Sequence, residues 1–461
     1  MRNNFVIVDR QTPMLLPPDM RDWVDEEDMV HFVIEAVDRL PLECFKVNQR
    51  GSGSKQHSPH MMLALLIYCY SNRIFSSRKI ERTTYRDVAV RYLTGDTHPD
   101  HDTICKFRRE NKAAISKAFV EVLQLAKELG LLKVGKVSTD GTHLKANASI
   151  NQNITYKRAK ELKAKLEQDV AALMVEAEKA DNTIEEGQTL PKEIARRQKL
   201  SQKMDEAITN LKKQAQKEHQ SAQESYEAKI KERAEKEKST GKKTRGKKPK
   251  PPESAEKIAE GSKRSHNFTD PESQVMRKSK SSAYTQSYNA QATVDADGSQ
   301  LIVGHHIGEC SNDKRELIKS YQSIPPEVGQ ATHLLADAGY ANTDYIEELE
   351  ATTDVELYIS VHREDAHDER QYDYRPVEKL KKAKPKVVHP TLQKMKTKLE
   401  TEEGKAIYKL RSQTIETTFG IIKEAMGYRN LLLRGAEKIA LEWELVCTSY
   451  NFKRLFNLKS S

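Results

Sequence analysis

The sequence predicts an α/β chain: a mixed five-stranded sheet with helices, preceded by an all-α segment and interrupted by a helical insertion after the first strand. Three observations carry this. Before residue 130 apolar residues recur three and four apart, the spacing of amphipathic helices. From Leu131 the period changes, and Val134, Val137 and Thr139 lead into Asp140 as a strand would. Residues 155–238 are then almost continuous helix formers, with Gly187 as their one glycine, and strand patterns return after Ser282.

A chain of 461 residues is too long for one ordinary domain and suggests roughly three. Lys and Arg number 77 against 68 Asp and Glu, a net +9 that suits a polyanionic partner without requiring one. The five cysteines, Cys44, Cys69, Cys105, Cys310 and Cys447, are scattered and form no CxxC pair. A disulfide framework and a zinc site are therefore unsupported, and a reducing compartment fits. The most apolar run, Met61 to Tyr70, is far shorter than the ~20 residues of a membrane helix. A soluble, cytoplasmic protein associated with the nucleoid is expected, with no membrane partner.

Residues 1–130 are expected to form the helical segment. Asp25 is the expected cap of a helix burying Met29, Phe32, Val33, Ala36, Val37 and Leu40. Pro59 starts another through Met62, Leu65, Leu66 and Cys69, since proline is tolerated in a first turn. The stretch SSRKIERTTYRDVAVRYLTG is basic and ends at Gly95. Asp102 or Thr103 then caps a helix with Ile104, Phe107 and Ile115 inward and Lys106, Arg108, Arg109 and Lys112 outward. Helix-turn-helix modules present a short basic helix to the major groove in this way. An ordinary helical domain with a charged surface has the same pattern.

The first strand is expected to end on Asp140, before GTHLKANAS. Across 155–238 two apolar seams flank a polar turn, one through Leu162, Leu166 and Leu173 and one through Met204, Ile208, Leu211 and Ala215. They predict an antiparallel helical hairpin. Residues 239–281, with GKKTRGKKPKPP, have the composition of a basic flexible linker or a phosphate-contacting segment. In TQSYNAQATVDADGSQLIVGHHI, Asp297-Gly298 joins two strands as a hairpin. Asp313 opens a helix, HLLAD is a strand ending at Asp337, Thr343 caps a short helix, and VELYISV is a further strand. A connector from Lys379 to Lys398 leads to the final helices. Without the insertion, three consecutive strands precede alternating helix and strand, an RNase H-like order across 131–154 and 282–461.

Metal-assisted phosphoryl transfer uses two hard cations about 4 Å apart, bridged by carboxylates. The candidates are Asp140 and Asp337, each after an apolar run and before small residues, and Glu416 on a helix. Gly141 and the Ala338-Gly339 pair let a ligand come close. On the Glu416 helix, Ile415, Phe419, Ile422 and Met426 share one stripe while Glu416, Gly420 and Lys423 share another. Gly420 costs ~1 kcal/mol of helix stability, which makes sense if backbone or DNA passes close by. A solvated Glu–Lys face is the alternative, and spacing alone does not choose among 68 acidic residues. His143 is either a contact beside Asp140 or a polar loop residue. Asn289 and Gln291 alternate with Tyr288 and Ala290, so one pair can face the site. His305 and His306 are expected to end a strand, and Asp295 and Asp297 to shape the hairpin turn. Trp443 belongs to the core.

The segments HPDHDTICKFRREN, DGTHLKANAS, YTQSYNAQATVDADG, LLADAGYAN and ETTFGIIKEAMGYRN, in this order, closely resemble bacterial insertion-sequence DDE transposases. The likeness is to the IS4/IS5-like superfamily and its IS1182-type branch. It implies Asp140, Asp337 and Glu416 as catalytic ligands of two Mg²⁺ ions, with Mn²⁺ able to substitute. It implies Lys423 as a phosphate contact, with Arg411, Lys106, Arg108, Arg109 and Lys145 completing the DNA-binding set. Arg411 stands five positions before Glu416 where the family has four, and on a regular helix this turns it ~140° away. The implied partners are double-stranded DNA, as transposon ends and target, and a second protomer on that DNA. The family's large insertion usually precedes the glutamate, so functions tied to it do not carry over. A nuclease without strand transfer and an idle DNA-binding derivative are the other readings.

Overall fold

Helix α1 (Met29–Asp38) begins where Asp28, and not the expected Asp25, accepts the Val30 N–H at 2.8 Å. The computed structural model describes residues 19–47, 56–180, 190–240, 248–262, 264–277, 282–361 and 389–459. Helix α2 (Pro59–Ser71) is capped by Ser58 and is buried continuously from Met62 to Ser71, so it is apolar on every side. The basic stretch after it is two short helices, α3 (Ser77–Thr84) and α4 (Val88–Leu93). Gly95, at φ +57°, supplies the left-handed residue that stops α4. Helix α5 (His101–Glu110) starts earlier than expected, because Asp100 accepts the Thr103 N–H at 2.8 Å. Helix α6 (Lys112–Glu128) follows.

These helices fall in one compact unit with Asn289–Leu432 and Glu437–Ser461. The reason is a shared core. The Phe32 ring lies 5.8 Å from Phe452, and the buried Ser71 hydroxyl donates to the Ser449 carbonyl at 2.9 Å. Strand β1 (Lys136–Lys145) also departs from expectation, running five residues past Asp140.

Lys145–Tyr288 and Leu433–Ala436 form the second unit. Here β2 (Asn153–Thr155) leads into α7 (Tyr156–Ala180) and α8 (Leu190–Thr240), the expected hairpin. Ile154, Ala159, Met204 and Ala207 form one cluster, flanked by Leu162, Leu166 and Ile208. Tyr156, Leu211, Ala215 and Ala259 form another. The expected linker 239–281 is structured where it is described. It holds α9 (Ala255–Gly261), β3 (Ser265–Asn267) antiparallel to β2, and β4 (Gln274–Met276). Composition misled because a few apolar anchors suffice: Ala259 packs against Leu211, and the Asn267 amide donates to the Ser149 carbonyl at 2.8 Å. Its most basic run, 241–247, lies outside the described residues.

Strand β5 (Thr285–Asp295) pairs β4 along Thr285–Ser287 and then continues into the first unit. There β6 (Ile302–Gly308) pairs it antiparallel, and Asp295 and Asp297 shape the turn as expected. Asp295 accepts from Ser299 Oγ at 2.6 Å, and Asp297 from the Lys136 N–H at 2.6 Å. His305 and His306 lie within β6 and not at its end. Helix α10 (Leu317–Gln322) precedes β7 (His333–Ala336). Helix α11 (Thr343–Thr352), capped by Asn342 and not Thr343, precedes β8 (Glu356–Ile359). Residues 379–388 of the lysine-rich connector lie outside the described residues. Its remainder is helix α12 (Pro390–Glu400), which precedes α13 (Glu402–Arg411), α14 (Thr417–Gly420) and the long α15 (Ala436–Lys459).

Within the first unit the strand order is β6-β5-β1-β7-β8. β1, β7 and β8 run parallel. The sheet is therefore mixed, and its parallel part is flanked by helices as parallel strands require. Trp443 of α15 is fully buried and donates to the Gln291 carbonyl at 2.9 Å, fixing that helix against β5. Among the described residues no helix is long and apolar enough to cross a membrane.

Candidate active site

Strand register brings the first two carboxylates together. β1 and β7 pair Lys136 with His333, Val137 with Leu334 and Ser138 with Leu335. Asp140 lies two residues beyond the last of these pairs and Asp337 directly after β7, near enough for the charge of Asp337 to act on Asp140. Asp140 accepts the Gly141 N–H at 2.8 Å; Asp337, in extended backbone just past β7, accepts the Gly339 N–H at 2.8 Å. Burial, followed by the charge of Asp337, pushes the Asp140 carboxyl up to about 7; Arg411 opposes the shift and Asp313 adds to it.

The third acid comes with a distortion in its helix. Between α13 and α14, Ser412–Glu416 is a π-helical turn. Thr414 Oγ1 donates to the Leu410 carbonyl at 2.8 Å, capturing an acceptor in the widened turn. A five-residue separation closes one hydrogen-bonded turn here, and Arg411 meets Glu416 instead of pointing away from it. Arg411 Nη2 donates to Glu416 Oε1 at 3.0 Å, and Nη1 lies 3.4 Å from Asp140 Oδ2. The guanidinium is buried and its carbon lies 5.9 Å from the centre of the Tyr408 ring. The expected ~140° turn between Arg411 and Glu416 therefore does not occur. Glu416 itself is exposed, and Arg411 links it to Asp140. The stripe of Ile415, Phe419, Ile422 and Met426 is buried as expected.

A second π turn, Ile421–Ala425, carries Lys423, whose ammonium donates to the Thr142 hydroxyl on β1. His143, half-buried on the same strand, has its pKa lowered by burial; Asp313 opposes this and Lys423 adds to it. A Cβ placed on Gly420 meets nothing within 4 Å.

Asp313, expected only to open a helix, belongs to this constellation. Its Oδ1 accepts from Asn289 Nδ2 at 2.9 Å and from Gln291 Nε2 at 2.7 Å, so these are the β5 residues that face the site. Tyr340, buried after Asp337, donates to Gln291 Oε1. Burial and three aspartates, Asp313 first, then Asp140 and Asp337, raise its pKa. The sequence signal for Asp313 is slight: an acid in an Asn-Asp turn after an Asn/Gln-bearing strand.

The expected DNA-facing residues divide. Lys106 and Arg109 on α5 are exposed, as is Lys145 in the second unit. Arg108 is not: it is 4% exposed and its Nη1 donates to the Tyr70 hydroxyl at 2.7 Å. Three residues after Cys105 and four after Ile104, it lies on the inward side of its helix, and its charge serves the core.

Among the described residues no three acidic, His or Cys side chains stand close enough to hold a metal ion. The donor chemistry nevertheless fits a hard divalent cation. Asp140 and Asp337 are carboxylate oxygen donors near enough for the charge of one to act on the other. The buried Asn289 Oδ1 has no hydrogen-bond partner among the described residues.

Residues 243–452 match the family model described as Transposase DDE domain, a span that holds Asp337 and Glu416 but not Asp140. Residues 18–110 match the model described as Transposase domain (DUF772), which takes in α1 to α5. No curated protein and no solved structure matches the chain.

Proposed function

This chain belongs to the DDE insertion-sequence transposases, enzymes that cut and join DNA, and we propose that it does so with Asp140, Asp337 and Glu416 as its three acids. The observation carrying this is the nearness of Asp140 and Asp337, two carboxyls from separate strands, the charge of one acting on the buried other. We read the sheet as RNase H-like, supported by the order β6-β5-β1-β7-β8 with its last three strands parallel.

Asp140 and Asp337 would hold a divalent cation, Mg²⁺ or Mn²⁺, and Glu416 would complete the set once it is released from Arg411. Bound there, the cation supplies Lewis-acid activation of an attacking oxygen and stabilisation of a leaving one. Arg411, once free of its carboxylates, has the planar fork that grips a phosphate through two bonds. Lys423 stands on the same side, anchored to Thr142, as a point charge for the DNA backbone. Gly420, open on its outer face, leaves room for that backbone. Lys106 and Arg109, exposed on α5, suit the terminal inverted repeats. Two ends must be held together for transposition, so we expect a dimer on DNA.

The test is an oligonucleotide cleavage and joining assay with Mg²⁺ on Asp140→Asn, Asp337→Asn and Glu416→Gln. Each should abolish cleavage while end binding persists. Full cleavage by any one removes that residue from the chemistry, and cleavage without joined products in the wild type makes the protein a nuclease.

A further inference from the structure

We propose that Asp313 is a fourth carboxylate of the cation site, joined by the carbonyl oxygen of Asn289; this rests on the metal-dependent reading above. Asp313 lies between the two glycines that follow the strand aspartates. Its Oδ1 occupies the space beside Gly141, and its Oδ2 lies 3.4 Å from where a Cβ of Gly339 would be. Asp337 Oδ1 lies 2.8 Å from that same point. One carboxylate therefore stands beside both glycines, the one that follows Asp140 within β1 and the one that follows Asp337 after β7.

Its hydrogen bonds have a second feature. Asn289 and Gln291 hold Oδ1 through neutral amide N–H groups, and no Lys or Arg among the described residues pairs with the carboxylate. Two amides orient the group without cancelling its charge. A structural aspartate is ordinarily paired or capping; this one heads a three-residue 3-10 turn, Asp313–Arg315, whose cap is Asn312.

The independent observation is Asn289 Oδ1. Asn289 is 1% exposed, and its Nδ2 is used by Asp313 and by the Cys310 carbonyl at 3.3 Å. Its Oδ1 has no partner among the described residues and lies 2.8 Å from the Cβ position of Gly141. A buried carbonyl oxygen left unpaired costs roughly 1–3 kcal/mol, so something outside the chain is needed to satisfy it. Carboxylate and amide-carbonyl oxygens together are the donors that hard divalent ions take. A bound water would satisfy Asn289 alone, but it would leave the charge of Asp313 uncompensated.

The experiment is Mn²⁺ titration by calorimetry on the full chain, with melting followed in EDTA and in Mn²⁺. Wild type, Asp313→Asn and Asp140→Asn are compared. Asp313→Asn should weaken Mn²⁺ binding by about 10- to 100-fold and shrink the Mn²⁺-induced rise in Tm. Its Tm in EDTA should hold or rise, since a like charge has left the aspartates. Unchanged Mn²⁺ affinity overturns the proposal, as does a fall in the EDTA melting point with no loss of affinity, which is the mark of a purely structural residue. Should Asp313→Asn fail to fold, Asp313→Ser is read by the same criteria, and failure of both is a structural role and overturns it. If wild type binds no Mn²⁺, or Asp140→Asn binds it equally well, the metal-dependent reading itself fails first.

Discussion

Gly141 has the carboxylate of Asp313 where its own side chain would stand, with the Gln291 amide equally close and Asn289 Oδ1 2.8 Å away. These three ends hold one another by hydrogen bonds and cannot all retreat. Gly141→Ala should therefore destabilise the fold by about 1–3 kcal/mol, the usual cost of overpacking, and should lower Mn²⁺ affinity. Gly420→Ala is the contrast, because a Cβ there meets nothing. It should gain about 1 kcal/mol of helix stability. Where DNA runs over that face it should also slow strand cleavage. Thermal melts and cleavage rates on both variants decide it, and a stabilised Gly420→Ala with wild-type cleavage would show that DNA does not pass there.

Arg411 stands between two acids as an internal cation. Arg411→Ala should cost about 1–3 kcal/mol in EDTA. That is below the full cost of breaking a buried pair, because the Glu416 side chain is 54% exposed and reaches water. Adding Mn²⁺ should then raise Tm more in the variant than in wild type, since the cation replaces the missing guanidinium. Arg411→Lys should not restore EDTA stability, because an ammonium lacks the fork that spans two carboxylates. Equal Mn²⁺-induced shifts in variant and wild type would remove Arg411 from competition for this site.

The strand-borne part of the site was legible because an apolar run, a carboxylate and then a glycine are all local signals. Asp140 and Asp337 each carry them, and β1 and β7 run parallel as neighbours two residues before the two aspartates. Arg411 was not legible in the same way. Helical periodicity assumes ~100° per residue, and the π turn at Ser412–Glu416 breaks that assumption where it matters. Asp313 was missed because its place depends on Asn289 and Gln291 reaching across from β5, a tertiary fact. Caps slipped where several candidates competed: Asp25 against Asp28, and Asp102 or Thr103 against Asp100. In 239–281, lysine, proline and glycine hid the few apolar residues that order α9 and β3.

Helix α5 separates two kinds of arginine. Arg108 is buried against Tyr70 and within the field of Glu442, so Arg108→Ala leaves buried polar groups unpaired. It should cost about 3–5 kcal/mol and abolish activity through unfolding. Lys106→Ala and Arg109→Ala remove exposed charges and should leave the melting point within about 0.5 kcal/mol of wild type. Each should lower DNA affinity and reduce the slope of log K against log salt by about 1. An unchanged salt slope in both would take α5 off the DNA surface.

His305 gives the fold a specific weakness towards acid. Its ring packs edge-on against Phe119 at 4.6 Å, and burial, with His306 beside it, lowers its pKa to about 3. The Glu444 carboxyl lies 3.9 Å away and is itself shifted upward by burial. In the unfolded chain the imidazole titrates near 6.5, so the unfolded state takes up a proton that the fold refuses. The stabilising contribution is therefore complete above about 6.5 and is lost progressively as pH falls towards 3. Ordinary carboxylates titrate below about 4.5, and the raised Asp140 and Glu444 are common to variant and wild type, so the two proteins are compared from about 6.5 to about 4.5. Across it His305→Gln, which cannot take up a proton, should lose less stability than wild type in denaturant titrations at each pH. Parallel losses in the two proteins would mean that His305 accepts its proton in the folded state after all.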